Sequence, residues 1–265
     1  MALISFTVDV DRDVNQVLPG SSAAVCAGGE PRFTSSAAGL RLFLEVLNEL
    51  GIKGTFFLEG KTAEVINTSE DLAALLKGHE CSCHGYHHED LTGQDSGVIL
   101  SKEEISAALQ KGIDAVEKIC GYRPQGFRAP YLHYDQRVQA VAASLGFKYS
   151  SSTVKIDEEC RCTTAPLLEI PLLKTKDAQG RWMQSYLWPL HEGKRPLADY
   201  QYLLKKEVDL LVLGDHSWHL QENYSGIFTK EKIKQNKEEL RSLLAYALDR
   251  QGEFITLAEY AAHFS

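Results

Sequence analysis

The sequence predicts an α/β fold in which a mostly parallel sheet closes into a barrel. Short apolar runs rich in Val, Ile, Leu and Phe recur along the chain, and segments of helical periodicity separate most of them. The 265 residues, 44% of them apolar, are enough for one such barrel. No internal repeat, low-complexity tract or linker divides residues 1–265, so a single domain is expected.

Strand-type runs fall at residues 3–10, 54–58, 80–83, 126–128, 147–151, 168–172, 210–213 and 254–257. Among the helical segments, 37–50 sets Leu40, Phe43, Leu44 and Leu47 on one stripe and stops at Gly51, a natural C-terminal cap. Residues 101–120 open with SKEE, in which Ser101 and Glu104 can form a capping box, and 230–249 is a further long amphipathic helix. The stretch 18–36, rich in Gly, Ala and Ser, and the irregular stretch 174–195 read as insertions at a barrel rim, where such folds keep their function.

A formal net charge of −8 and a pI near 5.6 argue against nucleic acid or an anionic membrane as partner. No stretch reaches 18 uninterrupted apolar residues, so no transmembrane segment is expected. MALISFTVDVDRD turns acidic too early for the core of a signal peptide, which points to a cytoplasmic protein with reduced cysteines. Cys81 with Cys83 and Cys160 with Cys162 have C-x-C spacing, read as buried or loop thiols rather than structural zinc.

Four motifs carry chemistry. In FTVDVD (residues 6–11), strand alternation puts Asp9 and Asp11 on one side, a costly pairing unless a metal ion or an arginine holds them. In HECSCHGYHHEDL (residues 79–91), His84 and His88 stand at i and i+4 and would meet on one face of a helical turn. His79 and His87 fall out of phase, and read as residues behind the ligands or on the surface. In GFRAPY (residues 126–131), a proline-fixed turn aims Arg128 and a backbone amide into a pocket. In LLVLGDHSW (residues 210–218), His216 follows a buried strand, where barrel enzymes place catalytic groups. Two histidines and one aspartate leave coordination positions open, a catalytic layout. Non-haem iron oxygenases share that donor set, but βα alternation disfavours their scaffold.

With GIKGTFF at 51–57 and FITLAEYAAH at 254–263, these motifs in this order resemble the polysaccharide deacetylases of carbohydrate esterase family 4, the NodB homology domain, over nearly the whole chain. The D-x-D form is similar to some bacterial peptidoglycan deacetylases and allantoinase-like members. The resemblance implies a distorted (β/α) barrel with fewer than eight complete units and a hydrolase that removes N-acetyl groups from an amino sugar or glycan. By the same resemblance, Asp11, His84 and His88 would be metal ligands, Asp9 the general base, Arg128 its partner, Tyr131 an oxyanion donor through its amide, and His216 the general acid. Pro130, Leu213 and Trp218 would line the substrate pocket. The cofactor expected is a divalent ion, zinc first, with cobalt, nickel, iron and manganese as alternatives. The family's usual fourth motif supplies an aspartate that tunes the acid and a tryptophan for the acetyl pocket. Residues 149–152 have neither, and Asp157 or Asp215, with Trp218 or Trp182, are candidates to replace them. A ureide or cyclic-amide substrate, a non-catalytic carbohydrate-binding barrel and a homo-oligomer stay open.

Overall fold

A computed structural model describes residues 3–26, 29–156 and 167–264. The main sheet has eight strands, named here in chain order: β1 (Leu3–Val10), β2 (Thr55–Leu58), β3 (Glu80–Cys83), β4 (Gly126–Phe127), β5 (Tyr149–Ser150), β6 (Leu168–Glu169), β7 (Leu211–His216) and β8 (Glu253–Phe254). In space they run β7–β1–β2–β3–β4–β5–β6, with β8 beside the start of β1, and every pairing is parallel. The gap between β6 and β7 is spanned where Tyr186 bridges Gly214 and where Ser185 donates to Leu173 and accepts from Gly214. The result is the expected distorted barrel with fewer than eight complete units.

The strand β1 shows why the sheet sorts its residues this way. It is buried on both faces, as a parallel strand between helices must be. Ile4, Phe6, Val8 and Val10 join Leu40, Phe43, Leu240 and Leu243 in the layer between sheet and helices. Thr7 and Asp9 share the opposite face, where both meet Arg128.

Three long helices cover the sheet: α1 (Thr34–Leu50), α2 (Lys102–Cys120) and α3 (Lys230–Asp249). The Ser101–Glu104 capping box and the left-handed Gly51 cap form as the sequence predicts. However, α1 starts three residues earlier than periodicity suggests. Phe33 offers no side-chain cap, and the distant Asp13 carboxylate instead accepts the amides of Ser35 and Ser36 at 3.1 and 2.7 Å. Gly39 lets α1 press against the turn after β7, because a Cβ there would lie 1.9 Å from the Ser217 carbonyl oxygen.

The two rim stretches are more ordered than their composition implies. The first overlaps an antiparallel hairpin of Asn15–Leu18 with Ser21–Cys26, which begins three residues before it. The second contains Leu172–Lys176 paired with Trp182–Gln184, and Val154–Ile156 adds to it as a separate three-stranded sheet. Asp177 clamps that hairpin's turn by accepting from Arg181 and Arg195, both at 2.8 Å. Among the described residues no helix is long and apolar enough to cross a membrane. Cys26, Cys81, Cys83 and Cys120 are free thiols, whereas Asp157, Cys160 and Cys162 lie outside the described residues.

Candidate active site and metal centre

The C-terminal strand ends meet at one edge of the barrel. Register places Asp9 opposite His216 on β7 and opposite Phe57 on β2. The Asp9 carboxylate is buried, accepts from Arg128 Nη1 at 2.8 Å through one oxygen and from the Tyr186 hydroxyl at 2.7 Å through the other. Arg128 is fully buried as well: it also donates to Thr7 Oγ1, Ser151 O and Ser151 Oγ, and its guanidinium lies 4.2 Å over the Phe57 ring. Burial alone would push the Asp9 carboxyl up, but the Arg128 charge, with His84, His216 and the Tyr186 hydroxyl, outweighs it and holds the group down at about 2.

Asp11 sits one turn further, also fully buried, with His84 and His88; one ligand atom from each lies within 4.8 Å of the others. The histidines converge on a loop and not on the helical turn expected from their spacing. Residues 84–90 have no helix, Gly85 and His88 take left-handed φ of 74° and 53°, and the Glu89 carboxylate gathers the amides of Tyr86 and His87. A Cβ on Gly85 would lie 2.8 Å from that carboxylate, so the turn requires glycine. Asp90 extends the brace, accepting from the amides of Asp95 and Ser96 and lying 3.0 Å from His133 Nδ1.

This trio fits a divalent cation. His84 Nδ1 is 2.7 Å from the Arg128 carbonyl, which can only accept, so its Nε2 is left as a lone pair. Asp11 Oδ2 takes the Asn15 amide at 2.6 Å, whereas Asp11 Oδ1 and His88 Nδ1 are buried with no partner among the described residues. Buried polar atoms without partners are costly, and a cation would offset that cost at the Asp11 carboxylate, toward which His88 Nε2 points at 3.3 Å. The electrostatics agree: burial, then Asp9 and Glu59, push the Asp11 carboxyl up to about 7 against the pull of His216 and His84. Burial pushes His88 down to about 3 and lowers His84, so both imidazoles are neutral, the form that ligates.

Above these groups opens a cavity of about 380 Å³, lined by Asp9, His84, His88, Tyr131, His216 and Trp218 among others. His216 Nε2 is 4.0 Å from Asp9 Oδ2, and its ring stacks on Tyr186 at 5.2 Å. Tyr131 takes φ 58° in the turn that Pro130 begins, and Trp218 brings a buried indole N–H with no partner among the described residues.

A family model described as polysaccharide deacetylase matches residues 36–150, which include His84, His88 and Arg128. Over those residues the chain is similar to the polysaccharide deacetylases, the NodB-type domains of carbohydrate esterase family 4. Its similarity to chitin deacetylase 1 of Cryptococcus neoformans is 36% identity over 106 residues, 40% of this chain and 21% of that protein. To the peptidoglycan deacetylase of Helicobacter pylori it is 24% over 120 residues, 45% of this chain and 38% of that one. These matches thus span from about a fifth to two fifths of the curated relatives. In fold the domain is similar to a candidate polysaccharide deacetylase from Mycobacterium smegmatis, with a TM-score of 0.68, 18% identity, and coverage of 99% of this chain and 89% of that one. It is similar also to a family 4 pseudoenzyme from Bacillus anthracis, with a TM-score of 0.59, 15% identity, and coverage of 98% and 66%.

The barrel gathers seven of the ten residues singled out from sequence at this one edge: Asp9, Asp11, His84, His88, Arg128, Tyr131 and His216. Trp218 joins them in the cavity wall, but Pro130 and Leu213 are not among its lining residues. Pro130 is buried in the turn, and alternation along β7 turns Leu213 outward into the layer with Phe6 and Leu40. Asp215 does not reach the His216 ring: one oxygen is 2.7 Å from His191 Nε2 and the other accepts the His216 backbone amide. Trp182 is 52% exposed on the second sheet, outside the cavity lining. His79 accepts from the Gly54 amide as a structural prop, and His87 packs on Tyr86. Sequence reading missed Asn15, Tyr186, Glu192 and His219. His216 and His219 left one signal, the H-x-x-H spacing; the other three come from rim stretches with no motif.

Proposed function

We propose that this chain is a metal-dependent hydrolase that removes an acetyl group from the nitrogen of an amino sugar or glycan, with zinc as the resident ion. The observation that carries the reading is the pair of aspartates two residues apart: one already neutralised by Arg128, the other buried against two neutral imidazoles with no Lys or Arg paired to it among the described residues. Fold alone would not support activity, since one structural neighbour is a pseudoenzyme. Here His84, His88, the ionised Asp9 and His216 line one cavity, and Asp11 lies within ligand distance of the two histidines.

Asp11, His84 and His88 would hold the ion. When bound, it supplies Lewis acidity and a water whose pKa falls from 15.7 to about 7. Asp9, held ionised at about 2, is a weak proton acceptor, so this acidification decides whether it can act. At about 1.4 kcal/mol per unit, taking a proton from ordinary water lies about 19 kcal/mol uphill, and from an acidified one about 7. Arg128 and Tyr186 fix the carboxylate in place. The turn at Tyr131 would offer its amide to the developing oxyanion, a contact worth about 3–4 kcal/mol in other acyl transfers. His216 would protonate the leaving nitrogen, because expelling an amide anion is too slow.

The test is acetate release from N-acetylglucosamine oligomers and nucleotide-linked N-acetyl sugars before and after chelation, then with Zn²⁺ or Co²⁺ restored. Release that disappears on chelation and returns with metal is expected. Release of carbamoyl product from ureides, with no acetate from any sugar, would overturn the acetyl assignment.

A further inference from the structure

His216 Nδ1 lies 3.1 Å from Nδ1 of His219, so one of the two nitrogens must carry a proton and the other a lone pair. The far nitrogen of His219 settles which. Nε2 is 3.6 Å from Glu192 Oε1, a charge contact just beyond hydrogen-bond length, with the two side chains 5% and 6% exposed. The field of that carboxylate favours a proton on the nitrogen that faces it, so His219 carries its proton on Nε2 and offers a lone pair at Nδ1. His216 must then be protonated at Nδ1, with Nε2 facing Asp9.

Local structure holds this order. His216 ends β7, and His219 follows three residues later in the 3₁₀ turn Ser217–Leu220 that the strand runs into. Glu192 closes the short helix Trp188–His191, and Lys194 pairs with it from the solvent side. His219 is packed between Trp218, with ring centres 3.7 Å apart, and Trp188, at 6.3 Å. Burial brings His219 down to about 4 against the pull of Glu192, and the contact with His219 keeps the Glu192 carboxyl below its ordinary range. The charged or titratable groups around His216 are Asp9 and Tyr186 from the barrel, Asp11 and His88 across the cavity, and His219 from its own turn. Glu192, Lys194 and the His191–Asp215 pair stand behind His219.

We propose that Glu192 and His219 are positioning residues which hold His216 in its Nδ1–H tautomer and present Nε2 to the leaving nitrogen, in place of the single carboxylate expected from sequence; this rests on the deacetylase reading. In the step itself, the Nε2–H bond breaks as the new N–H bond forms on the leaving amine, and the His216 ring returns to neutral Nδ1–H. The proton taken from water by Asp9 passes to Nε2 and resets both groups.

Long-range ¹H–¹⁵N spectra of the full, zinc-loaded chain, with His216 assigned through His216→Asn, read the tautomer without any turnover. Neutral His216 should be Nδ1–H in the wild type and should revert toward a mixture in His219→Phe. A wild-type Nε2–H tautomer, or a tautomer unchanged in that variant, overturns the proposal. In turnover, Glu192→Gln should move the alkaline limb of kcat/KM to lower pH by about half to one unit and lower kcat about tenfold with KM kept. His219→Gln, which keeps an acceptor, should recover part of what His219→Phe loses. A limb that stays in place in Glu192→Gln while only thermal stability drops also overturns it. If the wild type releases no acetate from any substrate, the deacetylase reading falls, and the tautomer still decides the positioning claim.

Discussion

Asp9 and Asp11 lie two residues apart at one strand end, and both are fully buried, yet one carboxyl is held near 2 and the other pushed up to about 7. Burial raises both; the difference is the company each keeps. Arg128 and Tyr186 complete the shell of Asp9 from within the chain. Asp11 has one amide from Asn15, two imidazoles that do not charge, and an oxygen left over. A buried carboxylate whose compensation comes from the fold serves as a fixed reagent, whereas one left short of a cation recruits an ion from solution.

The sharpest way to break this comparison is to remove one charge at a time. Asp9→Asn should lower acetate release by three orders of magnitude or more, about 4 kcal/mol of barrier, while metal binding measured by calorimetry is retained. Loss of the metal along with turnover would show that the two aspartates are one site and not two. Arg128→Met leaves Asp9 buried without its partner, at an expected cost of about 3–5 kcal/mol in urea unfolding.

The two carboxyls should also respond to pH with opposite sign. Asp9, depressed below its usual 3.8, contributes about 2 kcal/mol that is present above pH 3.8 and lost as pH falls through 2. Asp11, raised to about 7, does the reverse: the metal-free fold loses about 4 kcal/mol as pH climbs from 3.8 to 7. The Tm of chelated protein should therefore fall between pH 5 and 8, and Zn²⁺ should raise it more at pH 8 than at pH 5. An equal metal-induced rise at both values would sink the assignment of Asp11 as ligand. The smallest effect is expected for Asn15→Ala, which frees Asp11 Oδ2 and should weaken metal binding about 10- to 100-fold with the fold intact.

The sequence by itself determined the strand and helix alternation and the Ser101 and Gly51 caps, which rest on local spacing or on a residue type with few other uses. It singled out Asp11, His84 and His88 as candidate donors through the order of motifs that carries the resemblance. Tertiary structure alone decided how the donors meet. The spacing of His84 and His88 suggested a helical turn, but Glu89 and a left-handed Gly85 fold a loop instead, a balance of hydrogen bonds that periodicity does not express. Likewise α1 is capped by Asp13 from 22 residues away, and the carboxylate behind His216 is Glu192 acting through His219, while the nearer Asp215 is engaged by His191. Such partnerships join residues from separate strands, turns and rim insertions. Parallel register and burial fix them, and no short window of sequence contains both partners.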